Sequence, residues 1–435
     1  MPSALRPLRL PAFRRLALVR FVDELGDWLG EIALAVLVFD RTGSPMATAA
    51  LFLALQFLPA LATPPLVARL ESLHSRVSLP ALNAVQAAAF AGLAVLSTDF
   101  SLPPVIALAA LAGALAVSGR ALTRAAAASV LAPRGLLREG NALLNIGFTA
   151  GAAAGPALAG VVVATAGPRT ALFADAASFA AVAILLATAS GLPRAHPEAA
   201  GWTTRLRMAL NYVRSHRQLR LLLAAQAMAF VFFAIVIPIE VVFAKRTLGA
   251  GDAGYGLLLA SWGAGMVVGG LAFAALRRTQ LHILLAISTL AVGCAYLATG
   301  AAPTLLAACV ASAVGGAGNG IQWVALMTAV QQLTRADFQA RVISLLESLA
   351  KAMPGLGFLI GGAVAAIFNP RTSYAVAGVG VLAVLAVAFV ALSRARWHGE
   401  PAADFAATAE AVLPVAAAAR TPAGGALETP DTASR

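Results

Sequence analysis

Apolar runs of about twenty residues recur along almost the whole chain, each long enough to cross the hydrocarbon core of a bilayer as a helix. In lipid a backbone has to satisfy its own hydrogen bonds, so such runs predict an all-α integral membrane bundle. Composition agrees. The 435 residues are 60% hydrophobic and 11% charged, with mean hydropathy +0.84, whereas soluble domains are about a quarter charged. Twelve spans are predicted, at 17–39, 46–68, 79–97, 103–125, 141–166, 170–191, 219–243, 255–276, 281–300, 304–327, 341–367 and 373–394.

The basic residues orient this pattern. If both termini are cytoplasmic, 23 of the 31 Lys and Arg fall on the cytoplasmic side, and the opposite loops hold Arg41, Arg169, Lys245, Arg246 and Arg371. That asymmetry is what the positive-inside rule requires of an even number of spans. The formal charge of +12 is therefore read as an orientation signal, and no nucleic-acid partner is expected. Met1–Arg15 is basic, but no apolar core ending in a small-residue cleavage site follows, so no cleaved signal peptide is expected. Cys294 and Cys309 both fall inside spans, which argues against a structural disulfide. No phosphate-binding glycine loop is present, and the five histidines lie at loops or helix ends without metal spacing. The reading is therefore of a non-enzyme without cofactor or metal.

The chain also repeats itself. GPALAGVVVATAGPRT at 155–170 aligns with GFLIGGAVAAIFNPRT at 357–372, and VFDRTGSPMATAALFLA at 38–54 with VFAKRTLGAGDAGYGLLLA at 242–260. The shared offset of a little over 200 residues predicts two six-helix pseudo-repeats around a central cavity. The predicted organisation is a cytoplasmic segment 1–16, a bundle 17–191, a linker 192–218, a second bundle 219–396 and a disordered tail 397–435. The linker carries a basic amphipathic helix with Trp202, Leu206, Leu210 and Tyr212 on its apolar side, expected to lie on the anionic inner leaflet.

Local motifs add a family resemblance. FRRLALVRFVDELGDWLGEIALAVLVFDRTGSP resembles the opening of the exporter branch of the major facilitator superfamily that includes macrolide, multidrug and enterobactin exporters. The similarity continues through LLREGNALLNIGFTAGAAAGPALAG, YGLLLASWGAGMVVGGL and TRADFQARVISLLESLAK, over roughly 13–396. In span 5, Gly147, Gly151, Gly155, Pro156 and Gly160 are similar to the glycine–proline motif associated with antiporters of that superfamily. Physically, the stripe lets a neighbouring helix approach closely, and Pro156 frees a carbonyl and permits a bend. The loop between spans 2 and 3 departs from the superfamily pattern: Ala68, Ser72 and Leu73 replace expected residues, Glu71 is one register away, and Arg76 remains.

The first span carries the most informative chemistry. On a helical wheel Arg20, Asp23, Glu24, Asp27 and Glu31 occupy one arc of about 100°. Charged groups in lipid are costly, so that arc has to face protein or water. The resemblance implies that spans 1, 4, 7 and 10 line the cavity, with span 4 beside span 1. Arg120 and Arg124 of span 4 are then the expected charge partners, and Arg20–Glu24 forms its own i,i+4 pair. Asp23 and Asp27 are expected to be ionised and paired, and Glu31, with no evident cation, to exchange a proton. By the repeat offset the second half offers Ala227, Val231 and Ile235 in place of the acids, so coupling is expected from the N-terminal half. Glu347 and Lys351 are expected to pair with each other, and Asp175 to hydrogen-bond between helices. Gln56, Asn319, Gln322 and Trp323, with Glu24, are candidate cavity residues.

The expected function is proton-coupled efflux of an amphipathic small molecule by a monomer in a bacterial plasma membrane. Uptake or facilitated export of a specific metabolite, and a non-transporting membrane receptor, are the alternatives. No motif encodes the substrate.

Overall fold

The computed structural model describes residues 3–59, 75–188, 202–276 and 279–393, and those residues are helical with short connections. A short 3₁₀ segment, Ser3–Arg9, precedes α1 (Pro11–Thr42). Then come α2 (Pro45–Phe52), which widens over Leu53–Phe57, α3 (Ser75–Leu96), α4 (Leu102–Leu131) and α5 (Leu137–Ala187). The amphipathic α6 is Trp202–Ser215. α7 (Arg217–Ala234) continues through turns at Ile237–Ile239, Glu240–Val242 and Phe243–Thr247. α8 (Gly251–Ala275), α9 (Leu281–Ala301), α10 (Leu305–Gln332), α11 (Ala336–Ala352), α12 (Pro354–Ile367) and α13 (Pro370–Ser393) complete the chain.

The turns follow from their residues. α1 stops at Gly43, whose φ of 60° suits a residue without a side chain, and its N–H reaches Phe39 O at 2.7 Å. Ser44 then caps α2 by accepting from the Ala47 N–H at 3.2 Å, and Pro45 occupies the first helical turn. Thr-Gly-Ser-Pro is thus a complete helix-to-helix corner. α5 bends sharply at Gly167 (φ 81°, ψ 161°), directly before Pro168.

Among the described residues, nine helical segments are long and apolar enough to cross a membrane. Three places fall outside that set: α1 carries more charge than a plain apolar span, α2 is followed by residues 60–74 outside the described set, and α5 is one segment bent at Gly167.

The cores divide unevenly. At the end holding the Gly43 and Gly249 turns, one apolar cluster joins both parts of the chain, from Ile32–Phe39, Leu51 and Phe52 to Val241, Val242, Tyr255 and Phe358. We call this the loop end. At the opposite end, where α1 begins, Phe13, Leu16, Leu122 and Leu186 form one core, and Leu219, Leu284, Leu326 and Leu346 form another.

α6 differs from expectation. Ala209, Tyr212 and Val213 join the second of those cores. Tyr212 stacks on Phe338 with ring centroids 4.4 Å apart, and its hydroxyl accepts from the Arg335 N–H at 3.1 Å. That part of the apolar face is buried on protein instead of lipid; the side chains of Trp202 and Leu206 lie outside the described set.

Candidate functional site

Gly26 and Gly30 lie on α1 beside its acidic arc. A methyl group at Gly30 would sit 2.5 Å from the Asp175 carboxylate and 2.6 Å from Phe90, so protein closes this strip tightly. Asp175 is buried here; Ser178 of its own helix contacts Oδ1 at 3.4 Å, and Oδ2 has no hydrogen-bond partner. The expected bond between helices is replaced by a carboxylate set into a glycine notch.

The acids divide their partners. Arg120 of α4 reaches Asp27 at 2.5 Å, with both side chains largely shielded. Arg20 pairs with Glu24 at 2.8 Å. Arg124 is elsewhere: it lies 3.8 Å from Glu347 of α11, and these side chains are 60% and 55% exposed. Arg124 therefore does not serve α1, and Glu347 pairs across the molecule instead of with Lys351. The two arginines lie one turn apart on the same face of α4, and their long side chains diverge, one to Asp27 of α1 and the other to Glu347 of α11.

Asp23 and Asp27 line a small polar cavity with Asn83 and Gln86 of α3, Ala116, Gly119 and Arg120 of α4, and Phe179 of α5. Asn83 and Gln86 were not singled out from sequence. Their signal was available: two amides three residues apart in an otherwise apolar span share a helix face.

Glu31 is half-buried, one turn beyond Asp27, and Gln56 Nε2 donates to its Oε1 at 3.4 Å. Among the described residues no cation lies within ion-pair distance of Glu31; Lys351 and Arg120 act on it from farther away. The second half does supply an acid, contrary to the offset reading. Glu240 follows Pro238 in a turn that packs against α1, and Glu31 acts on it electrostatically. Buried Tyr255, Tyr296 and Tyr374 lie within electrostatic reach of Glu240. Pro238 interrupts the regular helix just before Glu240, so an offset carried over from span 1 does not find this acid.

Other candidates have packing roles. Glu24 lies under Gly151, where an added methyl would be 2.6 Å from its Cγ, and Gly155 sits equally close to Trp28. A methyl at Gly147 would meet Phe21 Cβ at 3.9 Å, and Gly160 meets Gly256 of α8 backbone to backbone, beside the Pro156 carbonyl. Gln322 is buried, and its amide donates to Thr289 at 2.8 Å between α9 and α10. Asn319 is half-buried among glycines packed on α8 and α9, and Trp323 is 38% exposed. Arg76 is exposed near the start of α3, and the rest of the loop motif, at 68–73, lies outside the described residues. Cys294 and Cys309 are free thiols. Among the described residues no group of three His, Cys, Asp or Glu is arranged to hold a metal ion.

Comparison with known proteins places this arrangement. The fold matches the crystal structure of the nucleoside transporter NupG with a TM-score of 0.70 at 14% identity, covering 89% of this chain and 100% of that one. A bacterial homolog to the human lysosomal transporter Spinster, in an inward-facing and occupied conformation, matches with a TM-score of 0.70 at 14% identity, over 91% and 100% of the two chains. A POT family transporter in complex with a thioalcohol-conjugated peptide gives 0.66 at 11% identity, over 88% and 96%. No curated protein sequence matches. Residues 2–417 match the family of transmembrane secretion effectors. The chain belongs to that family, and it is a multi-pass membrane transporter of the major facilitator type.

Proposed function

We propose that the chain exports a small amphipathic molecule in exchange for protons, by alternating access between two six-span halves, 17–191 and 219–396. On this reading the twelve spans are the nine apolar segments with α1, the span begun by α2, and the second arm of α5 beyond Gly167. The protein works as a monomer in a bacterial plasma membrane with both termini cytoplasmic, so the loop end faces outward.

The observation that carries the coupling is Glu31. It is a half-buried carboxyl with a neutral amide beside it, next to an Asp27 that already holds its arginine. A carboxyl in that position gains and loses a proton as its hydration changes, and ion pairing does not lock it. Glu240 adds a second acid from the opposite half, which favours neutral or cationic substrates over anions. Lys351 and Arg120 set the local field in which Glu31 exchanges. Rocking of the halves around a midplane site is the general mode of such folds.

Glu31→Gln is expected to abolish transport driven by a pH gradient while the protein still accumulates in the membrane. The assay is accumulation of a panel of antibiotics and dyes, with and without a protonophore. Transport that remains at the parent level in the variant removes Glu31 from the mechanism. If no compound in the panel differs between expressing and control cells, export of amphipathic molecules fails as a reading.

A further inference from the structure

One helical stripe of the second half faces the first half, and its middle residue has nothing to hold. Met353 keeps helical dihedrals, so α11 runs on into α12, and Glu347, Lys351 and Gly355, spaced four apart, share a face. Both neighbours of Lys351 on this stripe are met from the other side. Glu347 lies 3.8 Å from Arg124 of α4, and Gly355 packs under the Phe57 ring. Lys351 has no hydrogen bond or ion pair among the described residues.

The surroundings of Lys351 place it inside the bundle. Its side chain is exposed, yet Glu31, Asp27 and Glu24 of α1 and Arg120 of α4 all act on it electrostatically. It therefore stands in an open space between the halves and not on the outer surface. The Phe57–Gly355 contact one turn away sets how closely the stripe approaches the first half.

Across that space the acids are unequally committed. Asp27 holds Arg120, and Glu24 holds Arg20. Glu31 has only the Gln56 amide, at 3.4 Å. Gln56 precedes the Phe57 that packs on Gly355, so Glu31 and Lys351 border the same part of the space. Glu240 of the second half, half-buried, lies within electrostatic reach of Glu31. Charges in a partly shielded cleft are costly without a partner. A single molecule carrying a positive and a negative group compensates Lys351 and Glu31 at once. A plain cation would leave Lys351 facing like charge, and a plain anion would do the same to Glu31 and Glu240.

We propose that the substrate is an amphipathic zwitterion whose carboxylate binds Lys351 and whose ammonium group binds Glu31. The inference rests on the export reading above for the transport of that molecule, and it adds the charge pattern.

Three probes on one scaffold separate the charges. Nε-dansyl-lysine carries both groups, dansylcadaverine lacks the carboxylate, and dansyl-aminohexanoate lacks the amine. Dansyl emission rises on leaving water, so titration of the purified full-length protein gives a Kd for each. The parent is expected to bind the zwitterion at least about tenfold more tightly than either single-charge probe. The advantage over the cation should vanish in Lys351→Gln and persist in Lys351→Arg, and the advantage over the anion should vanish in Glu31→Gln. Lys351→Met replaces Lys351→Gln if that variant does not elute as a single species. The inference is overturned if the parent binds either single-charge probe as tightly as the zwitterion, or binds none of the three saturably. An advantage over the cation that survives loss of the Lys351 charge, or one over the anion that survives Glu31→Gln, overturns it as well. Binding of the cation alone sinks the inference and leaves export of amphipathic molecules standing. A Lys351-dependent preference in a protein that moves no compound of the panel leaves the binding site standing and removes export.

Discussion

The two ends of the molecule are held shut to different degrees. At the loop end both parts of the chain share one apolar core, and Gly160 and Gly256 touch through their backbones. Lys245 lies 2.5 Å from Asp40 and 2.6 Å from Asp252, with 18% of its side chain exposed, and Arg246 sits over the Phe39 ring at 4.9 Å. At the other end each half has its own core, and among the described residues the ion pair that joins them, Arg124–Glu347, is more than half exposed. The chain is therefore closed where apolar surface and shielded charge coincide, and loosely bridged where the contact is between exposed side chains.

The comparison breaks most easily at the glycines. Gly256→Leu is expected to cost at least about 1–3 kcal/mol, because the added side chain meets backbone, which cannot turn aside. The loop end should separate, which labelling of a cysteine placed at Ser44 by an impermeant maleimide would register in a Cys294→Ser, Cys309→Ser background. Labelling no faster than in the parent would mean that the close approach does not hold that end shut.

Lys245→Ala should have a smaller effect. It leaves Asp40 and Asp252 without their shared cation, at about 1 kcal/mol, since Asp40 is itself 45% exposed. Distances between spin labels at Met46 and Leu248 are expected to lengthen in a larger fraction of molecules. An unchanged distribution would assign the closure to the apolar core alone.

Arg124→Ala sharpens the contrast from the other side. An exposed pair contributes under about 1 kcal/mol, so the unfolding midpoint should hardly move, and about 1 M salt should erase any difference from the parent. A large loss would mean that the α4–α11 contact holds the second end as firmly as Lys245 holds the first.

Much of the site was legible. The arc of Arg20, Asp23, Glu24, Asp27 and Glu31 is a consequence of helical period, and the spacing of Gly147, Gly151 and Gly155 marked a face for close packing against a neighbouring helix, which the structure identifies as α1. The Thr-Gly-Ser-Pro corner could be read as a helix stop and start from its residue types. What a wheel could not give was the direction of each long side chain. Arg120 and Arg124 share a helix face in projection, yet one serves Asp27 and the other Glu347. Glu240 was hidden because the repeat offset assumes unbroken helix, and the turn at Ile237–Ile239 breaks it.

The sequence by itself determined a membrane bundle of helices, its alternation of spans and corners, and the carboxylate face of the first helix, because hydrophobic length and helical period act locally along the chain. Only the tertiary structure decided which arginine meets which acid, that Asn83 and Gln86 close a cavity with Asp23, and which end is shut. Those outcomes depend on how closely separate helices approach, and that is set by glycines, bends and partners far apart in the chain.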